Sequence, residues 1–239
     1  MLKPDYLSGL LFAVLALASD AQAQSATQKW ALQSLTDLKA LNTSIAVAES
    51  LGQKAVKVEF TPEVQKRNLG TPPNVPTMAL LPAQLKDGVI EVDFAAEDNG
   101  EAGADVRGFA GLSFHVSPDE QQWDAIYLRM TNGRLARPTP GEPRIQRAIQ
   151  YISLPGWDWP VSREKAPGQY EKGANIAPRT WNHLRIELDG NQARAYVNHE
   201  AEPALVVKDL KRTNQGGAVG LWVGDGTAAY FRNLVVSPR

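Results

Sequence analysis

With 239 residues, 25 basic and 26 acidic side chains, the chain has a formal net charge of −1, which gives no reason to expect nucleic acid or an anionic membrane as partner. It contains no cysteine, which excludes disulfides and thiolate metal sites. The fold must be held by its hydrophobic core alone, and a chain of this size can bury roughly 70% of its unfolded surface.

The first residues read as an export signal. Lys3 supplies a weak positive charge, Leu10 to Ala18 is an apolar run, and Ala21-Gln22-Ala23 is a small-x-small cleavage site. The run is about half the roughly 20 residues of a membrane-spanning helix. Residues 1–23 are therefore expected to be a signal peptide cleaved after Ala23, leaving 24–239 as a single domain in the periplasm or outside the cell, with no membrane association.

From Gln24 onward the pattern is one of short β-type runs between turn residues, without a long stripe of helical period. Trp30 to Leu32, Ile45 to Ala48 and Ala55 to Phe60 are the first strands, and Leu35 to Leu41 suits one or two helical turns. Thr61 to Pro76 carries four prolines and reads as a loop. Gly88 to Ala95, Gly108 to Val116, Ala125 to Thr131 and Ala148 to Leu154 follow as strands, with Asn132-Gly133 as a tight-turn signal. Trp181 to Leu188 and Gln192 to Asn198, joined through Asp189-Gly190-Asn191, form the clearest hairpin. Ala204 to Val207, Gly217 to Val223 and Tyr230 to Val236 complete the series. Roughly a dozen short strands with regular turns imply an all-β, two-sheet sandwich of the jelly-roll kind.

Three stretches carry a resemblance: the hairpin WNHLRIELDGNQARAYVN, the strand LVV, and the closing GGAVGLWVGDGTAAYFRNLVV. Over about Gly88 to Val236 the chain resembles the concanavalin A-like lectin/glucanase superfamily, and within it laminin-G-like domains and the bacterial 3-keto-disaccharide hydrolase family. The stretch YLRMTNGR…QYISLPGWDWPVSRE…PGQYE looks like a subgroup of exported bacterial proteins, with Arg129, Asn132, Arg134, Gln150, Tyr151, Trp159 and Glu171 as family-typical positions. The resemblance implies a carbohydrate or carbohydrate-derived ligand on the concave sheet, although a fold of this kind hosts many functions.

Strand alternation assigns faces. Leu112, Phe114 and Val116 belong to the core, with Ser113 and His115 opposite; Ile126, Leu128 and Met130 belong to the core, with Tyr127, Arg129 and Thr131 opposite. Gln150 and Ile152 share one face and Tyr151 and Ser153 the other, so either Gln150 or Tyr151 joins His115, Tyr127 and Arg129. Such a patch suits a sugar, whose ring faces pack on aromatics and whose hydroxyls bond Arg, Asn and Gln. It is equally compatible with a solvated outer face. The long loop Pro155 to Ala177 is of the length that is often functional. Trp157, Trp159 and Tyr170 would roof the patch or plug the end of the sandwich, while Arg163, Glu164 and Glu171 order the loop through ion pairs.

Glycosidases of the resembled fold use carboxylates at alternate positions of one concave strand, and Glu91 and Asp93 alternate in this way, with Glu97 beyond. A solvated strand face accounts for them as well. His115, His183 and His199 lack metal-binding spacing, so no zinc site is expected. No cofactor is expected, although Asp98, Asn99, Asp105 or Asp225 offer loop oxygens of the kind that ligate Ca²⁺. The leading expectation is a saccharide- or glycoside-binding protein using Tyr127, Arg129, Gln150 and Trp159. The alternatives are a keto-glycoside hydrolase or lyase with His115 or Glu91 as base, and a laminin-G-like protein-interaction module.

Overall fold

The computed structural model describes residues 26–67, 75–101, 106–212 and 216–239, so the expected signal segment lies outside the described residues. The first strands are β1 (Gln28–Trp30), β2 (Lys39–Leu41), β3 (Thr43–Ser50), β4 (Gln53–Phe60), β5 (Met78–Leu85), β6 (Gly88–Asp98), β7 (Phe109–Val116) and β8 (Trp123–Arg129). They continue as β9 (Ile149–Leu154), β10 (Glu171–Lys172), β11 (Asn182–Asp189), β12 (Gln192–Val197), β13 (Leu205–Val207), β14 (Gly217–Val223) and β15 (Thr227–Pro238). Among the described residues two short α-helices, α1 (Pro62–Arg67) and α2 (Trp159–Lys165), interrupt them.

The strands form two antiparallel sheets. One runs β13-β12-β11-β6-β15-β4-β3, with β1 added alongside the end of β15; the other runs β10-β9-β8-β7-β14-β5-β2. Apolar side chains from the facing surfaces interdigitate, among them Ile90, Val92 and Phe94 of β6, Leu112 and Phe114 of β7, and Ile126 and Leu128 of β8. Phe94 stacks on Phe231 with centroids 5.4 Å apart. Fully burying an aliphatic or aromatic side chain contributes roughly 1.5–3 kcal/mol, and this interior carries the stability that disulfides cannot.

The hairpin of β11 and β12 keeps strict register from Leu184 opposite Val197 to Asp189 opposite Gln192, turning at Gly190 with φ +58°. Its burial alternates residue by residue, since only one face meets the interior. The strands β8 and β9 differ, being buried on both faces.

Several expectations give way to the structure. The turn Leu35 to Leu38 leads into β2 rather than into a second helical turn. The proline-rich stretch holds α1 and is followed by β5, which the sequence pattern hides because Pro82 interrupts it. Pro82 is accommodated where the register with β14 slips, between Leu81 opposite Val219 and Gln84 opposite Ala218, so no ladder bond is asked of its missing N–H. Asn132-Gly133 closes a 3₁₀ turn with φ −66° at the glycine, and the chain makes a long excursion before β9 instead of a tight hairpin.

Candidate functional site

The register of the seven-stranded sheet lines up one continuous row on its outer face. Leu41, Met78, Trp222, Gly111, Tyr127, Gln150 and Glu171 are successive cross-strand partners from β2 to β10. The next row on the same face runs Leu80, Gly220, Ser113, Ala125, Ile152. Trp123 and Leu154 pair one step beyond, and with Met78, Leu80, Val116, Tyr127 and Trp222 they form a second apolar cluster, distinct from the interior. The Tyr127 ring tilts against Trp222 at 4.6 Å and meets Phe109 edge-on at 6.3 Å. Trp123, Tyr127 and Trp222 expose only 1%, 3% and 4% of their surface. The indole N–H groups of Trp123 and Trp222 are buried without an acceptor among the described residues, which is a costly arrangement for a hydrogen-bond donor.

At the β10 end the row becomes polar. Arg129 donates through Nη2 to Tyr127 Oη at 2.8 Å and to Gln150 Oε1 at 3.1 Å, and through Nη1 to Glu171 Oε2 at 3.4 Å. Glu171 also takes a two-pronged contact from Arg163, with Nε to Oε1 at 2.9 Å and Nη2 to Oε2 at 2.6 Å, and lies 3.2 Å from Arg147 Nε. Burial pushes the Arg129 guanidinium below its ordinary value, with the neighbouring Arg163 charge acting the same way, and pushes the Tyr127 phenol above its own. Helix α2 starts at Asp158, whose side chain caps Val161 N–H, and its Ser162 Oγ accepts from Gln150 Nε2 at 3.4 Å. This brings Arg163 over Glu171 and stacks its guanidinium on Trp159 at 4.6 Å.

Tyr127 and Arg129 share a face as their alternation predicts, Gln150 rather than Tyr151 joins them, and Trp159 flanks them, half-buried. The expected pairing of Arg163 with Glu171 forms, while Glu164 is exposed. Trp157 and Tyr170 instead close the edge of the interior, edge to face at 5.5 Å. Asn132 is buried in a clamp, donating to Arg147 O and accepting from Arg144 Nε. Arg134 is exposed and lies along Gly173. Arg147, absent from the sequence-based candidates, joins the cluster from the long excursion before β9.

One placement corrects the alternation argument and another resolves the choice it left open. His115 and Val116 exchange faces because β7 bulges: Phe114 and His115 together oppose the stretch of β14 between Ala218 and Gly220, and His115 takes φ +53°. Val116 consequently joins the outer cluster, and His115 turns inward, its Nδ1 2.9 Å from Asp124 Oδ2 and its Nε2 3.2 Å from Lys86 O. Tyr151 also faces the interior, donating to Asp124 Oδ1 at 2.7 Å and accepting from Lys211 N–H at 2.8 Å. Burial, and then the Asp124 charge, push its phenol well above the ordinary value. Neither residue reaches the outer aromatic face.

Glu91 is on the other sheet. It projects from β6 on the outer face of the eight-stranded sheet, 3.4 Å from His183 Nε2, so the whole interior separates it from Tyr127 and Arg129. Of the loop oxygens, Asp98 caps Gly100 N–H, Asn99 caps Glu101 N–H and Asp225 accepts from Gln65 Nε2. Asp105 lies outside the described residues.

No family model matches the chain, and no curated protein matches it. Among solved structures it is similar to the carbohydrate-binding module CBM66 from Bacillus subtilis, at 14% identity and TM-score 0.52, covering 84% of this chain and 98% of that one. It is also similar to the Crh5 transglycosylase in complex with NAG, at 10% identity and TM-score 0.52, covering 90% of this chain and 85% of that one. These similarities show the fold, a two-sheet antiparallel jelly roll, as the strand pattern of the sequence leads one to expect.

Proposed function

We propose that the protein binds a saccharide or glycoside on the outer face of its seven-stranded sheet, along the row from Trp222 to Glu171. The observation that carries this reading is the row itself. Tyr127 and Trp222, with Trp123 beside them, align three aromatic rings that are buried in this structure, and two indole donors without an acceptor among the described residues share that face with Gln150 and Arg129. Sugar rings combine apolar C–H faces with a rim of hydroxyls, which such a mixture complements. The similarity to a carbohydrate-binding module and to a transglycosylase solved with NAG supports it. The rings are closed off in this state, so the apparent affinity is the intrinsic one reduced by the cost of uncovering them. The candidate bases His115 and Glu91 both lie away from this face, which favours binding over catalysis.

The test is calorimetric titration of the purified protein with neutral and acidic oligosaccharides, repeated on Trp222→Ala and Tyr127→Ala after folding is checked by circular dichroism. Micromolar-to-millimolar binding that weakens at least tenfold in both variants supports the reading. Absence of binding to every saccharide, or full affinity in both folded variants, overturns it.

A further inference from the structure

We propose that the saccharide is anionic, and that its carboxylate or sulfate ester docks against Arg147 and Lys172 in a cleft at the β10 end of the aromatic row. This rests on the saccharide-binding reading and narrows it. The cleft has a volume of about 360 Å³ and is lined in part by Glu142, Gln146, Arg147, Glu171 and Lys172. Glu171 belongs to the ladder row, directly across from Gln150, so the cleft continues the aromatic face rather than standing apart from it.

The charge balance there is uneven. Arg129, Arg147 and Arg163 all converge on the single Glu171 carboxylate, and Lys172 follows it in the chain. The one further acid of the lining, Glu142, is exposed and accepts from Gln146 Nε2 at 3.1 Å. The lining itself sets Arg147 and Lys172 against Glu171 and Glu142, and Arg129 and Arg163, which reach Glu171 from outside the lining, add two further cations. Arg163 occupies both Glu171 oxygens, which leaves Arg129 at 3.4 Å with the neutral acceptors Tyr127 Oη, Gln150 Oε1 and Arg147 O for the rest of its donors. A buried guanidinium whose counter-charge is shared with two others leaves an excess positive field at the surface beside it.

A second observation comes from the sequence. Between Arg129 and Arg147 the chain holds five arginines and the single acid Glu142, although the whole protein has a formal charge of −1. Two of the five, Arg129 and Arg147, reach Glu171 at the cleft. Arg147, with 35% of its side chain exposed, and the exposed Lys172 are the cations a ligand reaches. Guanidinium forks match the paired oxygens of carboxylate and sulfate alike.

The experiment titrates the protein with galacturonate oligomers, with the same oligomers after carboxyl reduction, and with sulfated galactan oligosaccharides, at low and at physiological salt. The expected result is at least tenfold tighter binding of an anionic set than of the reduced one, with an advantage that shrinks as salt rises. The carboxylated and sulfated arms tell which anion is taken. Arg147→Gln combined with Lys172→Gln should erase the difference between anionic and reduced oligomers; both side chains are accessible, and Arg129 and Arg163 remain on Glu171. Equal affinity for reduced and anionic oligomers, or an advantage that survives the double substitution, overturns the anionic assignment while leaving saccharide binding intact. If no saccharide of any charge binds, the saccharide reading falls and this proposal falls with it.

Discussion

The rings of Tyr127 and Trp222 meet at 4.6 Å across Gly111, which stands between them in the ladder row without a side chain to hold them apart. A Cβ at Gly111 would come within 2.5 Å of Tyr127 Cα and 2.3 Å of Ile126 O, both backbone atoms that cannot turn aside. The close approach of β7 to β8 and the pairing of the two rings therefore have one cause. Gly111→Ala is expected to cost about 1–3 kcal/mol in urea unfolding, as overpacking does, and to weaken saccharide binding further. A variant as stable as the parent would show that the strands have room to part.

The unpaired indole donors lead to a second expectation. Trp123 Nε1 and Trp222 Nε1 find no acceptor among the described residues, so Trp123→Phe and Trp222→Phe remove a buried donor that is already costly. Relief of that cost offsets part of the lost packing, and each variant should stay within about 1 kcal/mol of the parent. Affinity should fall by about tenfold for whichever indole bonds the ligand, the equivalent of one hydrogen bond. Unchanged affinity in both would remove the indoles from recognition.

The interior triad behaves in the opposite way. Tyr151 Oη links Asp124 to the backbone at Lys211, and Asp124 in turn holds His115 in its left-handed conformation. Tyr151→Phe leaves Asp124 short of a donor and Lys211 N–H short of an acceptor, and should destabilise the fold by about 1–3 kcal/mol. Saccharide affinity of the folded variant should not change, since Tyr151 faces away from the row. A selective loss of binding without loss of stability would reverse that assignment.

What the sequence disclosed follows from how each signal is written. The β11–β12 hairpin has one buried face and a Gly-Asn turn, so its alternation is visible and its register follows. Tyr127 and Arg129 fall on the same face by strand period alone, although β8 is buried on both faces, and the ladder resolves the choice between Gln150 and Tyr151 in favour of Gln150. His115 escaped because a bulge inserts one residue without changing composition, and the left-handed turn it needs is not marked by glycine. Arg147 escaped because its partner Glu171 lies beyond β9 and α2, and a pairing between loop and edge strand has no periodicity to betray it. The strand β5 was hidden by its proline.

A pH dependence follows from Asp93 on the outer face of the eight-stranded sheet. Burial acts to raise its carboxyl, but His183 Nδ1 at 2.8 Å, Asn233 Nδ2 at 2.9 Å and the Arg232 guanidinium outweigh it and hold the group below its ordinary value of 3.8. A carboxyl depressed in the folded state stabilises fully above its unfolded value, and that contribution disappears as pH falls through the folded value. Replacing Asp93 with Asn abolishes the titration. In urea unfolding the parent should exceed Asp93→Asn by up to about 1 kcal/mol at pH 5, a modest figure because the site is partly solvated. The gap should narrow below pH 3.8 and close near pH 2, once the parent carboxyl is protonated in both states. A gap that persists unchanged at pH 2 would mean that Asp93 contributes through shape and neutral hydrogen bonds rather than through its charge.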